Sequence, residues 1–398
     1  MMKDNFLLIG VDGGATKVSA WEVNVESDEE NLFGLGALNE QRSYRDIPGY
    51  IKDFKPVDLA TQLQEWQEDT IKPEDDEIQQ AAVYIEAAAQ VIETLARRSK
   101  KERILVGLGM PGLKTGDKRG IAVVANGPRM ITYARQLEER LAMRNIRFVR
   151  PIHQLGSDAD YCGIGENYAA EGLFRDVDNA YYLGGGTGVA DALKLNGKLL
   201  PFDRTKSWLA KSWEMKSAED LSLEKYASAG GIQSLYAEQS GLSVEELNAR
   251  GVYPPQIAQK AADGEQAAGE TYRRVAEQMA LLLYERISTL YAGWQGLFQF
   301  VNPQRPSLEG EHPYQGTLLQ RIILGQRLGE LFELPVSENV LKNPMLRELQ
   351  QHVDTSAALD ETAKKHYANI SDLIVVSRLR EAPAVGAGVD AYLNYKMG

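Results

Sequence analysis

Short apolar segments that end in glycine alternate with longer segments of helical periodicity along this chain of 398 residues. The segment 6–11 is apolar and leads into two glycines, which is typical of a buried strand followed by a tight turn. The segment 18–25 is predicted to pair with it as a hairpin. Apolar residues then recur at spacings of three and four between residues 78 and 95, which predicts an amphipathic helix. With a further strand predicted at 104–109, this order indicates an α/β lobe.

The same order of strand, glycine turn and hairpin recurs in the second half of the chain. A strand is predicted at 180–183, and it leads into a glycine-rich run, Gly184 to Gly188. The segment 189–200 reads as two strands joined at Asn196-Gly197, a dipeptide that favours a type I′ hairpin turn. A strand, a glycine turn and a hairpin therefore occur twice, and this weak internal repeat predicts two lobes of related build.

The remaining pattern sets the predicted domains. We expect an N-terminal α/β lobe over residues 1–130, on which a C-terminal helix at about 384–398 packs back. A C-terminal α/β lobe is expected over 131–383, with a helical insertion at about 214–300. Residues 26–75 carry Pro48, Pro56 and Pro73 and are predicted to be irregular, apart from one helix at 59–71.

Composition narrows the class of protein. Hydrophobic residues make up 43% of the chain and charged residues 25%, as in ordinary globular proteins. The net charge of −12 argues against a nucleic-acid partner, whose phosphates select a basic surface. Cys162 is the single cysteine, so no disulfide framework or cysteine zinc site can be built within one chain. No apolar run reaches the roughly 20 residues of a membrane span, and no cleavable signal pattern is seen. We expect a cytoplasmic protein that does not contact the membrane.

The sharpest local motif is the run Asp12 to Lys17, which follows the first strand directly. Gly13 and Gly14 let successive backbone N–H groups point at one spot, which makes an anion-binding nest. Thr16 adds a hydroxyl donor, and Asp12 is an oxygen ligand that suits Mg²⁺ directly or through water. A tight hairpin turn with a capping aspartate explains the same residues without any ligand.

The second motif is Gly184 to Gly188, which again follows a strand. Four glycines in five residues expose almost uninterrupted backbone, at a cost in conformational entropy. A flexible surface turn is the alternative, but the position between two apolar strands favours a phosphate contact.

The third motif is Ser157-Asp158-Ala159-Asp160, at a predicted junction of loop and helix. A carboxylate there can accept a proton from a substrate hydroxyl. Capping of the helix N-terminus by Ser157 or Asp158 is the commoner use of such residues. The combination changes that balance, because two glycine loops with one acid between them are a layout for phosphoryl transfer.

The chain resembles the ROK group of bacterial sugar kinases and related proteins, within the actin/hexokinase superfamily. The resemblance is carried, in the family's order, by GVDGGATK (10–17), GLGMPG (107–112), Asn126-Gly127-Pro128, SDADYCGIGE (157–166), LGGGTGVADALKLNGKL (183–199) and LEKYAS (223–228). It implies an α/β fold of the two-lobed actin-like ATPase type (ribonuclease H-like), with a central cleft between the lobes.

The resemblance also implies roles for individual residues. Asp158 would be the general base for a sugar hydroxyl, and Asn126, Asp158 and Glu224 would contact the sugar, with Glu214 a looser candidate. ATP and Mg²⁺ would be the cofactors, and a homodimer is common in the family resembled. The residues implied to bind ATP phosphates form two loops: Asp12, Gly13, Gly14, Thr16 and Lys17, and Gly185, Gly186, Thr187 and Gly188.

Three departures from the family pattern bear on function. The region 213–224 has no cysteine or histidine, so the family's zinc site is excluded there. Gly325-Gln326-Arg327 stands where the family has a glycine run beside the nucleotide, so side chains there could crowd adenosine. Ser157 replaces the usual asparagine before the base.

These observations leave several functions open. The leading hypothesis is ATP-dependent phosphorylation of a hydroxyl on a sugar or amino sugar. A sugar-sensing protein that kept the fold and lost catalysis is the alternative from the class of binding proteins. A further alternative is another ATPase or phosphohydrolase of the superfamily, such as an amino-sugar kinase or ATPase of the BadF type.

Overall fold

A computed structural model describes residues 6–397 of the chain. Contacts between Cα atoms divide these residues into two compact units. The first unit runs to Gly172 and resumes at Glu381, and the second unit is Leu173–Arg380.

The first unit is built on a sheet of six strands in the order β3-β2-β1-β4-β7, with β8 also paired to β4. The strands of this unit are β1 (Leu7–Gly13), β2 (Lys17–Ser27), β3 (Leu32–Ser43), β4 (Arg103–Gly109), β5 (Leu113–Lys114), β6 (Ile121–Val123), β7 (Arg147–Phe148) and β8 (Leu155–Gly156). Strands β1, β2 and β3 are antiparallel neighbours, whereas β4 runs parallel to β1, β7 and β8. The short strands β5 and β6 form a separate antiparallel pair.

The helices of this unit cover the sheet. They are α1 (Leu59–Gln67), α2 (Asp75–Ser99), α3 (Tyr133–Met143) and α4 (Asp158–Tyr168). The helix predicted from the spacing between residues 78 and 95 is α2, whose buried face includes Ile85, Ile92 and Leu95. At its start the N–H of Glu74 donates to Oε2 of Glu77 at 3.2 Å, which satisfies one backbone group beside the helix end.

Strand β3 corrects the expectation that residues 26–75 are irregular outside one helix. It contains 12 residues, of which Phe33 alone is fully buried. Its pairing with β2 extends from Lys17↔Ser43 to Ser27↔Leu32, with two irregularities. Because β3 is an edge strand held mainly by these backbone bonds, its sequence lacks the apolar alternation that would have revealed it.

The second unit repeats the strand order of the first, in a sheet ordered β11-β10-β9-β14-β15. Its strands are β9 (Ala180–Gly185), β10 (Val189–Leu195), β11 (Lys198–Leu200), β12 (Met215–Lys216), β13 (Gln299–Phe300), β14 (Arg321–Gly325) and β15 (Ile374–Val376). Strands β9, β10 and β11 are antiparallel, and β14 runs parallel to both β9 and β15. The internal repeat predicted from the sequence is therefore confirmed at the level of strand order and direction.

Most helices of the second unit pack together beside this sheet. They are α5 (Glu224–Ala227), α6 (Ala229–Ser240), α7 (Val244–Ala249), α8 (Pro254–Ala262), α9 (Gln266–Ala292), α10 (Gln326–Glu333), α11 (Asn343–Thr355) and α12 (Glu361–His366). Helix α9 is the central one, with 27 residues and buried positions along most of its length. Its apolar face joins Tyr181, Leu183 and Leu193 of the sheet in one core.

The C-terminal helix α13 (Ala382–Met397) belongs to the first unit, where it packs on β1, β4 and α4. Its backbone approaches the sheet closely, since a Cβ at Gly10 or Gly107 would lie 1.7 Å from a carbonyl oxygen of this helix. The predicted boundary at 130/131 is wrong, because β7, β8 and α4 pair or pack with β4 and α13 and extend the unit to Gly172. Within residues 6–397, no helix combines the length and apolar character needed to cross a bilayer.

Candidate functional site

The first glycine loop connects β1 to β2 and is a tight turn closed on itself. The N–H of Gly14 donates to the carbonyl oxygen of Lys17 at 2.9 Å, so that amide is engaged within the loop. The N–H groups of Ala15 and Thr16 have no acceptor in the described part of the chain. The loop therefore has two successive amides without a protein acceptor among the described residues, next to the exposed Thr16 side chain.

Parallel strands bring two predicted site residues to the same edge of the sheet. Asp12 pairs with Gly109 of β4, and Gly109 pairs in turn with Gly156 of β8. Asp158 follows two residues later, as the first residue of α4. Two strand spacings separate the backbones of β1 and β8, which is about 10 Å. Carboxyl ends of parallel strands are the usual place for ligands in α/β sheets, and here both acids lie there.

Asp12 lies in a strongly acidic environment. Burial, followed by the nearby carboxylates of Asp158 and Glu381, raises the pKa of its carboxyl to about 7, while Lys17 acts in the opposite direction. Glu381 lies directly before α13 and was not predicted as a site residue, because only the return of the C-terminal helix brings it here. Asp158 and Glu381 thus both oppose ionisation of Asp12, an effect that a bound cation would relieve.

The local contacts of Asp158 leave its carboxylate available for chemistry. One oxygen, Oδ1, accepts a hydrogen bond of 3.0 Å from the N–H of Ala159. Ser157 takes the cap position with extended backbone but makes no capping hydrogen bond with its side chain. Capping of this helix by Ser157 is therefore not supported, whereas Asp158 does accept from a backbone N–H of the first turn.

Lys17 has a protein partner at hand. Its side chain is exposed and donates to Oε1 of Gln41 on β3 at 2.6 Å. A phosphate that bound Lys17 would have to displace this hydrogen bond. The displacement would cost little stability, because the bond is exposed to solvent.

The loop carrying Asn126 is clamped from both sides by buried polar groups. Before it, Gln62 of α1 pairs with both backbone groups of Val124, at 2.9 and 3.1 Å. After it, Arg129 is 1% exposed and donates through Nε to Glu77 of α2 at 2.9 Å. Asn126 itself is exposed between these anchors. The sequence did not reveal Gln62, Glu77 or Arg129, since a buried Arg–Glu pair leaves no periodic signal.

The second glycine loop, between β9 and β10, is also closed by an internal backbone hydrogen bond. The N–H of Gly186 donates to the carbonyl oxygen of Gly188 at 2.8 Å. The N–H groups of Thr187 and Gly188 have no acceptor among residues 6–397. A Cβ at Gly185 would lie 2.0 Å from the carbonyl oxygen of Ala227, so glycine is required there by close packing.

Two further side chains of the second unit lie against this loop. A Cβ at Gly188 would be 3.3 Å from Oε1 of Glu224, the predicted sugar ligand. A Cβ at Gly186 would be 3.0 Å from Oε1 of Gln326. Gln326 has a φ of +56°, in the left-handed region that favours glycine. A side chain does therefore occupy the position where the family resembled has glycine.

Glu214 does not join this group. Its Oε2 accepts from the N–H of Lys211 at 2.8 Å, and its Oε1 lies 3.5 Å from Nε of Arg305. Both carboxylate oxygens are therefore engaged by protein groups.

A metal would have to be held by carboxylates if one binds near Asp12. No set of three or more His, Cys, Asp or Glu residues with metal-binding geometry occurs in residues 6–397. The crowding of Asp12, Asp158 and Glu381 nevertheless fits a divalent cation held largely by water and substrate oxygens, as Mg²⁺ commonly is.

Comparison with solved structures identifies the fold. The chain is similar to a ROK-family glucokinase from Streptomyces griseus in complex with glucose and AMPPNP, with a TM-score of 0.56, 14% identity, and coverage of 97% of this chain and 99% of that one. It is similar to the ROK hexokinase from Thermus thermophilus, with a TM-score of 0.55, 17% identity, and coverage of 99% and 100%.

A protein of another class shares this likeness. A ROK-family transcriptional regulator, homologous to the MLC protein of Escherichia coli, matches with a TM-score of 0.51, 11% identity, and coverage of 98% of this chain and 79% of that one. No protein-family model matches the chain, and no curated protein sequence matches it. The predicted class, an α/β fold of the actin-like ATPase type, is confirmed.

Proposed function

We propose that this protein is an ATP-dependent kinase that phosphorylates a hydroxyl group of a sugar or amino sugar. The fold supports this proposal, since it is shared with a glucokinase in complex with glucose and AMPPNP and with a hexokinase. The observation that carries it is the pair Asp12 and Asp158: Asp12 is the last residue but one of β1 and Asp158 follows β8, at the carboxyl ends of the strands on either side of β4.

Asp158 is the general base of the proposed reaction. Its carboxylate accepts the proton of the sugar hydroxyl as that oxygen attacks the γ-phosphorus of ATP. The bond from the γ-phosphorus to the bridging oxygen breaks, and ADP leaves with the electron pair. The free side of the Asp158 carboxylate supports this role, because its known hydrogen bond uses one oxygen only.

The remaining groups bind the phosphates and the acceptor. The amides of Ala15, Thr16, Thr187 and Gly188, for which residues 6–397 offer no acceptor, are proposed phosphate donors. Mg²⁺ would be held by Asp12, directly or through water, and would neutralise charge on the phosphates. Asn126 and Glu224 are the proposed sugar ligands, whereas the engaged carboxylate of Glu214 makes it the weakest candidate.

The proposal is tested in two stages. A thermal-shift screen of hexoses and amino sugars, with and without Mg-ATP, first identifies an acceptor by the rise in melting temperature that native-state binding must produce. Sugar-dependent ADP release is then measured for the wild type, for Asp158→Asn, and for Asp160→Asn as a control two residues along the same helix.

We expect Asp158→Asn to lower kcat by a factor of about 10²–10⁴ while calorimetric sugar affinity changes little, and Asp160→Asn to stay near wild type. Undiminished turnover in Asp158→Asn would show that another group is the base. Phosphate release that needs no sugar would instead indicate a phosphohydrolase.

One observation favours a second candidate, a sugar-binding protein without turnover. The Gln326 side chain approaches the second glycine loop at Gly186, where it could obstruct nucleotide. Calorimetry that found sugar affinity and no affinity for Mg-AMPPNP would support this candidate over the kinase.

A further inference from the structure

Two tyrosines donate hydrogen bonds to the backbone of the first glycine loop. The hydroxyl of Tyr84 on α2 donates to the carbonyl oxygen of Ala15 at 2.8 Å, and the N–H of Tyr44 donates to the carbonyl oxygen of Thr16 at 3.1 Å. The two phenol rings stack with centroids 3.6 Å apart and an interplanar angle of 17°. The backbone that carries the two free amides is thus fixed by a stacked aromatic pair.

Tyr84 also lies close to the loop that carries Asn126. A Cβ at Gly127 would lie 3.4 Å from the Tyr84 hydroxyl and 3.7 Å from its ring carbons. Gly127 has a φ of +154°, so the backbone passes the phenol in a conformation that suits glycine. One buried hydroxyl, on a residue 5% exposed, therefore lies between the proposed phosphate loop and the proposed sugar loop.

The scaffold behind Tyr84 is stiff. Three side chains from the first three turns of α2 hold separate backbone segments. Glu77 holds Arg129 after the Asn126 loop, Gln80 accepts from the N–H of Ile51 at 2.9 Å, and Tyr84 holds Ala15. A shift of the first loop at Ala15 must therefore move or break the bond to the Tyr84 hydroxyl, which the Gly127 backbone passes closely.

We propose that Tyr84 is a positioning residue that couples the conformation of the Asp12–Lys17 loop to that of the Asn126–Pro128 loop. It contacts no reacting atom. When phosphate orders the first loop, the phenol is held in place, and this keeps the Gly127 backbone in the position that presents Asn126. The nucleotide-binding consequence rests on the proposed function, whereas the coupling of the two loops does not.

The test removes the hydroxyl alone. Tyr84→Phe keeps the stacked ring and leaves the Ala15 carbonyl without its donor. The matched control is Tyr272→Phe, which removes another buried tyrosine hydroxyl that donates to a backbone carbonyl, that of Pro254, at 2.6 Å. Tyr272 lies on α9 of the second unit, and the residue its hydroxyl bonds, Pro254, belongs to neither loop.

Amide hydrogen exchange on the protein without ligand gives the first readout. The reporters are two hydrogen-bonded amides, that of Gly14 in the Asp12–Lys17 loop and that of Val124 just before the Asn126–Pro128 loop. We expect Tyr84→Phe to speed exchange at both by about fivefold, the effect of one ordinary hydrogen bond, and Tyr272→Phe at neither. Faster exchange at Gly14 alone, or at neither amide, would overturn the coupling.

A second variant measures the coupling directly. Gly127→Ala strains a backbone with a φ of +154° and brings a methyl group into van der Waals contact with the phenol, so the resulting shift of this loop should speed exchange at Gly14 in the wild type and do so less in Tyr84→Phe. Equal effects in both backgrounds would refute transmission through the hydroxyl.

Affinity for Mg-AMPPNP, measured by calorimetry, gives the functional readout. Tyr84→Phe should weaken it about fivefold, with the Tyr272→Phe value within about twofold of wild type. Equal affinity in wild type and Tyr84→Phe would overturn the positioning role. A wild type that binds no Mg-AMPPNP would instead refute the proposed function, and the exchange experiment would still decide the coupling.

Discussion

The clamp behind Asn126 makes a strong prediction about stability. Arg129 and Glu77 are each 1% exposed. Glu77 accepts from Nε and from the backbone N–H of Arg129, at 2.9 and 3.3 Å, and from Nη2 at 2.5 Å. The substitution Glu77→Gln removes the negative charge while preserving size and one acceptor oxygen. It leaves a buried guanidinium whose remaining carboxylate partner is the partly exposed Glu65.

The expected cost follows from these contacts. Removing one partner of a buried ion pair typically costs about 3–5 kcal/mol, because the other charge stays buried without compensation. The introduced glutamine would retain an acceptor oxygen and Glu65 would retain its charge, so we expect a smaller loss, about 2–3 kcal/mol. The matched control is Glu277→Gln, which breaks an exposed pair with Arg273 and should cost at most about 0.5 kcal/mol.

The assay must resolve the two units, since they need not unfold together. Hydrogen exchange followed by mass spectrometry at increasing urea reports each unit through its own peptides, with the buried strand β4 as the reporter for the first unit. A loss below about 1 kcal/mol for Glu77→Gln would refute the clamp.

The dependence on pH gives an independent check of the same clamp. Burial alone would raise the pKa of Glu77, but hydrogen bonds from Arg129 and nearby backbone lower it below its usual value. A carboxyl with a lowered folded-state pKa contributes stability above its unfolded pKa and loses it as the pH falls through the folded one. The difference between wild type and Glu77→Gln should therefore be full near neutral pH and shrink in acid.

Two further predictions concern the glycine loops. Gln326→Gly should change stability by no more than about 1 kcal/mol, because relief of the left-handed φ of +56° offsets the flexibility of glycine. Calorimetry should show that this variant binds Mg-AMPPNP more tightly than the wild type. Weaker binding would mean that the Gln326 side chain contributes to the site. Asp12→Asn, without divalent cations or nucleotide, should raise the melting temperature above about pH 7 and not near pH 4. Because the folded-state pKa of Asp12 is raised to about 7, the stability that Asp12 contributes below its unfolded pKa is lost as the pH rises through 7, by at most about 4 kcal/mol. Parallel curves of melting temperature against pH for the two proteins, from about pH 4 to 8.5, would contradict this.

The local elements of the fold could be predicted because their signals are local. Residue spacing revealed α2, and apolar runs ending in glycine revealed β1 and β9 with their hairpins. The edge strand β3 could not be predicted in this way, since a strand with one fully buried residue carries little apolar pattern. The boundary at Gly172 was missed for a related reason, because it depends on strand pairing and not on composition.

The sequence by itself indicated candidate residues for chemistry, two glycine turns and an acid between them, because their combination and order favour phosphoryl transfer although each motif alone also has a structural explanation. Tertiary structure alone decided which groups surround them. Parallel pairing to β4 brought Asp158 near Asp12, the returning C-terminal helix added Glu381, and α2 supplied Tyr84 and Glu77. These partners are distant in sequence, and no local propensity reports a contact that forms only when separate segments pack.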